Sequence, residues 1–363
     1  MASTFGKALK ISIFGESHGR AIGGVADGFP PGEKLDETEL AHFAARRKPG
    51  QKGTTPRRES DRIEILSGIY QGKTTGTPLA LLIENRNTRS ADYKILQDVP
   101  RPGHADLAAL LRYGECADRR GGGHFSGRLT APLTAFGGIA KQILARRGIF
   151  IGAHLAKVYH IADASFDAAA LTREALLQAG GKSFPVNDDA AGNAMQEAIS
   201  AAAEAGDSLG GIVECGALGF PEGVGTPMFD RIECRLARVL FGIPAVRGVE
   251  FGNGFGAAEL SGAANNDPFV RKGKKIVTAG NRHGGALGGI SSGMPIVFRV
   301  AFKPTPSIAA EQKSVDLRTG KTAKLCVSGR HDPCVAVRAV PVVEAAAALV
   351  LLDLLLSEKK ADF

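Results

Sequence analysis

Residues 101–150 read RPGHADLAALLRYGECADRRGGGHFSGRLTAPLTAFGGIAKQILARRGIF, and the rest of the chain is organised around them. Pro102-Gly103 interrupts regular structure, so we expect His104 on a rigid turn ahead of a helix over 105–117. The apolar periodicity of 129–147 predicts a long helix beyond the glycines, and its internal glycines would allow close packing against another helix. The stretch therefore predicts a turn, a helix, a glycine-rich loop and a second helix in succession.

The same stretch holds the residue types that bind an anion beside a proton-transfer group. Histidine has an unperturbed pKa of about 6.5, so it both gives and accepts protons near neutrality. Gly121, Gly122 and Gly123 let backbone N–H groups approach a phosphate or a flavin, and the flanking arginines offer planar forks for phosphate or carboxylate. Each feature alone also fits a plain loop or a core histidine. Their combination predicts an anion site.

A second histidine follows the first predicted strand. Residues 10–14 predict a strand that delivers Gly15-Glu16-Ser17-His18-Gly19 at its end, where functional side chains are common. In isolation, Ser17 and His18 equally fit a role in capping a turn. The segment Asp36-Glu37-Thr38-Glu39 has the capping-box pattern and predicts a helix that runs to about Arg47.

Hydrophobic periodicity predicts a mixed α/β chain. An antiparallel pair is expected at 62–69 and 77–83, and a long glycine-rich loop at 252–293. The other predicted elements are strands at 149–158, 212–218, 246–251 and 294–302, and helices at 190–205, 229–241 and from Pro341 to about Leu356. Residues 149–227 show no pattern of catalytic or ligand-binding side chains, and no domain boundary is visible.

Composition indicates a globular protein with an anionic partner. Of 363 residues, 44% are hydrophobic, and the formal net charge is +8 at pH 7. Between Arg46 and Arg62, seven basic side chains outnumber two acidic ones. Such a run is typical of a solvated loop or a nucleic-acid patch, but the interleaved Gly50, Gly53 and Thr54 favour a loop that encloses a small polyanion. Trp is absent and Tyr numbers 4, so stacking platforms for single-stranded nucleic acid are poorly supplied.

The cysteines and the apolar runs indicate the compartment. Five cysteines stand far apart with no C-x-x-C pair, so neither a disulfide framework nor a zinc site is expected, and no other metal centre is predicted. The first residues carry no signal-peptide pattern, and the longest apolar run, 345–352, is too short to span a bilayer. We expect a cytoplasmic protein that binds neither a membrane nor nucleic acid.

Five motifs together resemble the chorismate synthase family. They are FGESHG at 14–19, RPGHAD at 101–106, GGISSG at 288–293, KPTPS at 303–307 and GRHDPC at 329–334, in the family's order. The resemblance implies a single domain over 1–363 with an α+β fold, a β-α-β sandwich in which helices pack between antiparallel sheets. It also implies the last common step of the shikimate pathway. In that step 5-enolpyruvylshikimate 3-phosphate loses phosphate and a ring proton by anti 1,4-elimination and gives chorismate.

The resemblance further implies reduced FMN as cofactor, a reaction with no net redox change, and a homotetramer. His18 would protonate the departing phosphate, His104 would keep the reduced flavin in its working protonation state, and Asp332 would help the N5 region of the flavin take up the ring proton. The implied substrate contacts are Arg47, Lys52, Arg57, Ser126 and Arg128. The implied flavin contacts are His124, Phe125, Ser126, Ala264, Asn265, Gly288, Lys303, Pro304, Thr305, Pro306, Ser307 and Arg330. Either NADPH or an external flavin reductase would supply the electrons, and the sequence leaves both sources open.

One segment departs from the family pattern. After the glycines the family commonly has an arginine and, further on, R-E-T, whereas this chain has His124-Phe125-Ser126-Gly127-Arg128-Leu129-Thr130. Because His18, His104 and Asp332 all match, we interpret the chain as a divergent member with the same chemistry.

Two other classes compete with this interpretation. A basic, glycine-rich RNA-binding protein accounts for the charge, but not for two histidines on glycine turns. A nucleotide-dependent oxidoreductase needs G-x-G-x-x-G between a strand and a helix, with an acidic residue about 20 positions on, and the sequence has no such arrangement.

Overall fold

The computed structural model describes residues 3–50, 53–55, 61–86, 95–327, 329 and 331–358. Its strands, in chain order, are β1 Thr4–Phe5, β2 Lys10–Gly15, β3 Ala21–Asp27, β4 Glu64–Ile65, β5 Ile69–Tyr70, β6 Lys73–Thr74, β7 Leu79–Glu84, β8 Phe150–Val158, β9 Ile161–Ala162, β10 Gly211–Leu218, β11 Val246–Phe251, β12 Phe269–Lys272, β13 Lys275–Thr278, β14 Ala286–Leu287, β15 Ile290–Ser291, β16 Ile296–Phe302, β17 Gln312–Val315 and β18 Thr322–Leu325. Its α-helices are α1 Glu37–Ala45, α2 Asp106–Tyr113, α3 Thr130–Arg146, α4 Arg173–Gln178, α5 Asp189–Glu204, α6 Ile232–Leu240, α7 Gly262–Asn265 and α8 Ala336–Ser357.

Two five-stranded antiparallel sheets enclose a helical layer. The first sheet has the order β1-β2-β3-β7-β4 and the second the order β11-β16-β10-β8-β9. Helix α3 packs on β3 and β7 of the first sheet, α8 packs on β8 and β10 of the second, and the two helices pack on each other. The predicted β-α-β sandwich is therefore confirmed.

Glycines set the spacing between these layers. A Cβ at Gly137 of α3 would lie 2.3 Å from the Cβ of Ala345 of α8, and a Cβ at Gly24 of β3 would lie 2.6 Å from the Phe136 ring of α3. Both distances are far shorter than a van der Waals contact, so only glycine fits at these crossings. The predicted role of the glycines inside the long helix is confirmed. One hydrophobic cluster consequently joins both sheets and the central helices.

Most elements follow the predicted bounds to within a few residues. Of the strand predicted over 62–69, only 64–65 pairs with β7, whereas 69–70 pairs with β6. The helix predicted over 105–117 ends as α2 at Tyr113 and continues as a 3-10 turn over 114–116. Helix α8 begins at Ala336 and runs through Pro341, rather than beginning there. The ring of a proline suits helical φ and removes one backbone donor, and burial of the apolar residues on both sides outweighs that loss. The predicted loop at 252–293 contains two hairpins, β12–β13 and β14–β15. The two-residue turn Gly273-Lys274, with Phe269-Val270 before it and Ile276-Val277 after it, was the hairpin signal that the high glycine content obscured.

The apolar run 345–352, which is too short by itself to span a bilayer, is part of the longer helix α8. It alone, among the helices of the described residues, is long and apolar enough to cross a bilayer, and 89% of its most apolar window is buried inside the protein. It is the central core helix.

Candidate active site

A cavity of about 1560 Å³ opens where the N-terminal ends of α3 and α8 meet the end of β2. The predicted site residues that line it are Arg47, His104, His124, Phe125, Ser126, Arg128, Lys303, Thr305, Pro306, Ser307 and Asp332. His18, Ala264, Asn265, Gly288 and Pro304 do not line it. Lys52, Arg57 and Arg330 lie outside the described residues.

The glycine run brings the two predicted catalytic histidines together. Gly121 and Gly122 both have positive φ, and a Cβ at Gly121 would lie 2.3 Å from Cδ2 of His18. A Cβ at Gly122 would lie 3.2 Å from Nε2 of His104. The two imidazoles therefore pack on neighbouring glycines, and the buried His18 ring lies against Gly121, which lines the cavity.

His104 is oriented by a carboxylate in the first turn of α2. Its Nδ1 lies 2.7 Å from Oδ1 of Asp106 and 3.1 Å from Nη2 of Arg101. Because the carboxylate is the nearer partner and only accepts, we place the proton on Nδ1. Arg101 holds the same carboxylate through Nε and Nη2, each at 2.7 Å, and its Nη1 donates to Ser307. The opposite ring nitrogen, Nε2, is thus left beside Gly122.

These contacts set the charge states of the pair. Burial lowers the pKa of His104, the bond to Asp106 opposes this, and the nearby Arg101 and Lys303 lower it further, so the net shift is downward. Burial raises the pKa of Asp106, but hydrogen bonds from Arg101 and His104 outweigh it and hold that pKa far below its usual range. His104 is therefore a neutral base next to a permanent carboxylate.

A buried carboxylate joins two predicted substrate-binding arginines. Asp61 accepts from Nη2 of Arg47 at 2.7 Å through one oxygen and from Nη1 of Arg128 through the other. Burial raises the pKa of Asp61, and the two guanidinium groups outweigh it and lower the pKa below its usual value. Asp61 therefore fixes both cations in the cavity wall and leaves a net positive charge there.

Asp332, the third predicted catalytic residue, lies beside the segment that follows Arg47. Asp332 accepts the backbone N–H of Thr55 at 3.0 Å through Oδ1 and pairs with Arg338 through Oδ2. The turn at 331–335 and the start of α8 thus bring Asp332 to the loop that follows Arg47.

The segment that departs from the family pattern ties two parts of the site together. Nδ1 of His124 lies 2.8 Å from the carbonyl of Gly15, and Nε2 lies 2.8 Å from Oγ of Ser3. The N–H of Ser17 also donates to the carbonyl of Gly123 at 3.1 Å. The His124 side chain therefore contributes to holding the turn that carries His18 against the glycine run.

The cavity has the size and polarity for a large anionic cofactor and a second ligand. Pockets for a single ligand occupy about 300–1,000 Å³, less than the volume here. Two hydroxyls at its wall, Oγ1 of Thr55 and Oγ1 of Thr305, are buried without a hydrogen-bond partner among the described residues. Lys303 lies two residues before Thr305 in the chain and also lines the cavity. Burial lowers the pKa of Lys303, and the nearby charges of Arg247 and Arg101 lower it further. Unpartnered hydroxyls and cations in one wall fit a phosphate-bearing ring system.

Four residues of the site were given no role in the sequence analysis. They are Asp61, Arg101, Asp106 and Arg338, and each holds a predicted site residue in place. Asp106 carried a usable signal, because it stands two residues after His104 at a helix start. Arg101 and Arg338 also have partners close in sequence, Asp106 and Asp332, but no pattern in the sequence singled out these pairs, and Asp61 belongs to a run of charged residues.

Together, the sandwich and the cationic cavity with two histidines define an enzyme that moves protons on a small polyanion. The family model for chorismate synthase matches residues 9–356. The chain belongs to the chorismate synthase family.

Relatives and a solved structure agree over the whole length. A chorismate synthase of Thermococcus kodakarensis is 47% identical over 354 residues, covering 98% of each chain. One of Chitinophaga pinensis is 43% identical over 360 residues, covering 99% of this chain and 98% of the relative. A crystal structure of chorismate synthase superimposes with a TM-score of 0.77 at 29% identity, covering 99% of this chain and 95% of the other. The chain is a lyase of this family, as the motifs predicted, and neither RNA binding nor oxidoreductase activity gains support.

Proposed function

We propose that the cavity carries out the anti 1,4-elimination of phosphate and a ring proton from 5-enolpyruvylshikimate 3-phosphate, which yields chorismate. The observation that carries this proposal is the packing of His18 and His104 on neighbouring glycines beside a wide cationic cavity, which Gly121 and His104 line. Two proton-transfer groups that pack on adjacent glycines suit a reaction in which an anionic leaving group departs while a proton is taken up elsewhere.

The substrate's phosphate and two carboxylates would bind the arginine wall. Arg47 and Arg128 are both fixed by Asp61, so their guanidinium groups need no reorganisation when the anion arrives. His18, packed on Gly121, would protonate the phosphate as it leaves. Asp332, held in place by Thr55 and Arg338, would assist removal of the ring proton.

Reduced FMN is the proposed cofactor, and the fit of the cavity supports it. When bound, reduced FMN lends electron density to the allylic system of the substrate and recovers it. The residues that would hold it in this chain are Ser126, Lys303, Thr305, Pro306 and Ser307, with Phe125 at the rim. His104 would keep Nε2 directed at the cavity while Asp106 holds the proton on Nδ1. In this way the protein sets the protonation state of the bound ring system by geometry and charge.

A homotetramer is the proposed assembly. Ala264, Asn265 and Gly288 lie outside the cavity of their own chain, so the flavin contacts expected of them would have to be made in the cavity of a second copy. Large apolar side chains on the same tract are exposed, among them Phe255, Phe269 and Ile276. Exposed apolar clusters of this kind mark protein–protein interfaces, which supports the assembly.

Three further properties belong to the same proposal. Residues 1–363 would fold as one domain, since one hydrophobic cluster spans both sheets. The protein would act in the cytoplasm, where thiols such as the buried Cys215 and Cys334 stay reduced. Electrons for the flavin would come from NADPH or from an external reductase, and both sources stay open.

Anaerobic phosphate release from the substrate with dithionite-reduced FMN tests the function. Wild type should release phosphate only with reduced flavin, and His104→Ala should lower kcat by about 100-fold or more. His160→Ala is the matched control, because this histidine is exposed in the turn between β8 and β9 and does not line the cavity. A folded wild type that releases no phosphate, or a His104→Ala variant as active as the control, would refute the proposal.

A further inference from the structure

Arg338, in the first turn of α8, contacts two residues assigned to the reaction. Its Nη1–H donates to Oδ2 of Asp332 at 2.5 Å, and its Nε–H donates to the backbone carbonyl of Arg47 at 2.9 Å. All three residues line the cavity, and the side chains of Arg338 and Asp332 are only 16% and 12% exposed. The pair is therefore sheltered, where charge-assisted hydrogen bonds restrain geometry most.

The two oxygens of Asp332 are held from different directions. Thr55 donates its backbone N–H to Oδ1, and Arg338 donates to Oδ2. A carboxylate with one donor on each oxygen has its plane fixed as well as its position. Because a displacement of about 1 Å can cost about 100-fold in rate, such restraint bears directly on a group that assists proton removal.

We propose that Arg338 is a positioning residue that holds the Asp332 carboxylate in its working orientation and ties it to the Arg47 segment. The inference rests on the proposed function, in which Asp332 assists removal of the ring proton. Arginine suits the task because its planar fork serves two acceptors at fixed angles. Lysine would keep the charge but, as a point donor, would not hold both acceptors in that arrangement.

The structure separates this role from substrate binding. The guanidinium of Arg47 is held independently by Asp61 at 2.7 Å, so it should stay in place when Arg338 is removed. The loss should therefore appear in kcat rather than in substrate affinity. A general weakening of the fold would instead reduce both.

A matched control uses an ion pair between α6, which carries Arg235, and the other end of α8. Arg235 pairs with Asp353 near the C-terminal end of α8, and the two side chains are 11% and 4% exposed. Arg235→Gln thus removes a sheltered arginine–carboxylate pair from α8 at a distance from the cavity, whereas Arg338→Gln removes the pair beside it. Comparing the two variants separates the effect of losing the ion pair beside Asp332 from the effect of losing any sheltered ion pair of this helix.

The test is a double-mutant cycle with Arg338→Gln, Asp332→Asn and the combined variant. Two readouts are measured: the rate of phosphate release with reduced FMN, and the binding of 5-enolpyruvylshikimate 3-phosphate to the flavin-free protein by calorimetry. Arg338→Gln should lower kcat by about 30–100-fold and leave the dissociation constant within about threefold. The combined variant should be no more than about threefold slower than Asp332→Asn, and Arg338→Lys should recover part of the rate.

Several results would overturn the inference. They are multiplication of the two single effects in the combined variant, a parallel loss of substrate binding, and an equal rate loss in Arg235→Gln. An active wild type whose Asp332→Asn variant keeps full rate would also refute it, because Arg338 would then have no working carboxylate to position. A wild type without phosphate release would refute the proposed function and this inference with it, and that outcome is distinct from the others.

Discussion

Replacing His154 with phenylalanine should destabilise the protein by about 3–5 kcal/mol. The imidazole lies between two carboxylates, with Nδ1 2.8 Å from Oδ2 of Asp163 and Nε2 2.9 Å from Oε2 of Glu214. Carboxylates only accept, so both ring nitrogens donate and the ring is a cation. The side chains are 0%, 0% and 6% exposed, which makes the cluster a sealed charge network between β8 and β10.

The magnitude follows from what the substitution removes and what it leaves. Two charge-assisted hydrogen bonds of about 1.5–3 kcal/mol each are lost, and both carboxylates stay buried without a cation. Three backbone N–H donors, from Phe166, Asn187 and Asp188, remain on the carboxylates and limit the loss. The phenyl ring fills most of the volume, so the contribution of a cavity is small.

The pH dependence of stability has a defined sign. Burial lowers the pKa of His154, but the bonds to Asp163 and Glu214 outweigh it and raise the pKa overall. The contribution of His154 to the free energy of unfolding is therefore fully present below its unfolded pKa of about 6.5. It is lost as pH rises through the higher pKa of the folded state. Burial raises the pKa of Asp163, but its hydrogen bonds lower it overall, so its contribution is present above about pH 3.9 and is lost as pH falls through the folded value. The cluster should therefore contribute most to the free energy of unfolding between about pH 3.9 and pH 6.5.

Urea unfolding followed by circular dichroism measures the effect across this pH range. His160→Phe is the control, because that ring is exposed beside the same strand and its loss should change stability by no more than about 0.5 kcal/mol. The wild-type decline above about pH 6.5 should be absent from His154→Phe. A His154→Phe chain within about 1 kcal/mol of wild type near pH 6, or one that keeps the same decline, would refute the charge assignment.

Two further predictions concern the active site. Asp106→Asn should lower the pKa of His104 further, because the Asp106 carboxylate is the group that raises that pKa. The acid limb of the profile of kcat against pH should therefore move to lower pH. An acid limb that stays in place would contradict the contact between His104 and Asp106. Gly121→Ala should lower the rate of phosphate release by about 10–100-fold, because the new Cβ would meet the His18 ring. Gly148→Ala, at a φ of 76° in the turn that ends α3 with nothing within 4 Å of its Cβ position, should keep the wild-type rate, and equal losses in the two variants would show backbone strain instead.

Local patterns predicted most of the elements, because their causes are local. The side-chain oxygen of Asp36 accepts the N–H of Glu39 at the start of α1, as the capping box indicated. Alternation placed β2 and β10, and helical periodicity placed α3 and α5, each within about two residues, the usual scatter of such bounds. The errors came where a local signal was outweighed, as at Pro341, where apolar burial outweighed a missing backbone donor.

The site was predictable in its motif residues and not in their supports. Histidines on glycine turns carried a chemical signal and a family resemblance, so His18, His104 and Asp332 stood out. Arg338 had no comparable signal, because it stands outside the motifs and only one of its two acceptors, Asp332, is near in sequence, whereas the carbonyl of Arg47 lies 291 residues away. The cluster around His154 was missed for the same reason, as each member occupies an otherwise ordinary position in 149–227.

By itself, the sequence determined the positions of turns, caps and amphipathic segments, the cationic character of the ligand site, and the family to which the chain belongs. Only the tertiary structure decided which charges share a carboxylate, which nitrogen of His104 carries its proton, and which buried ion pairs support the cavity. Periodicity and turn chemistry act between residues a few positions apart. Electrostatic partners are chosen by distance in space, and only packing sets that distance.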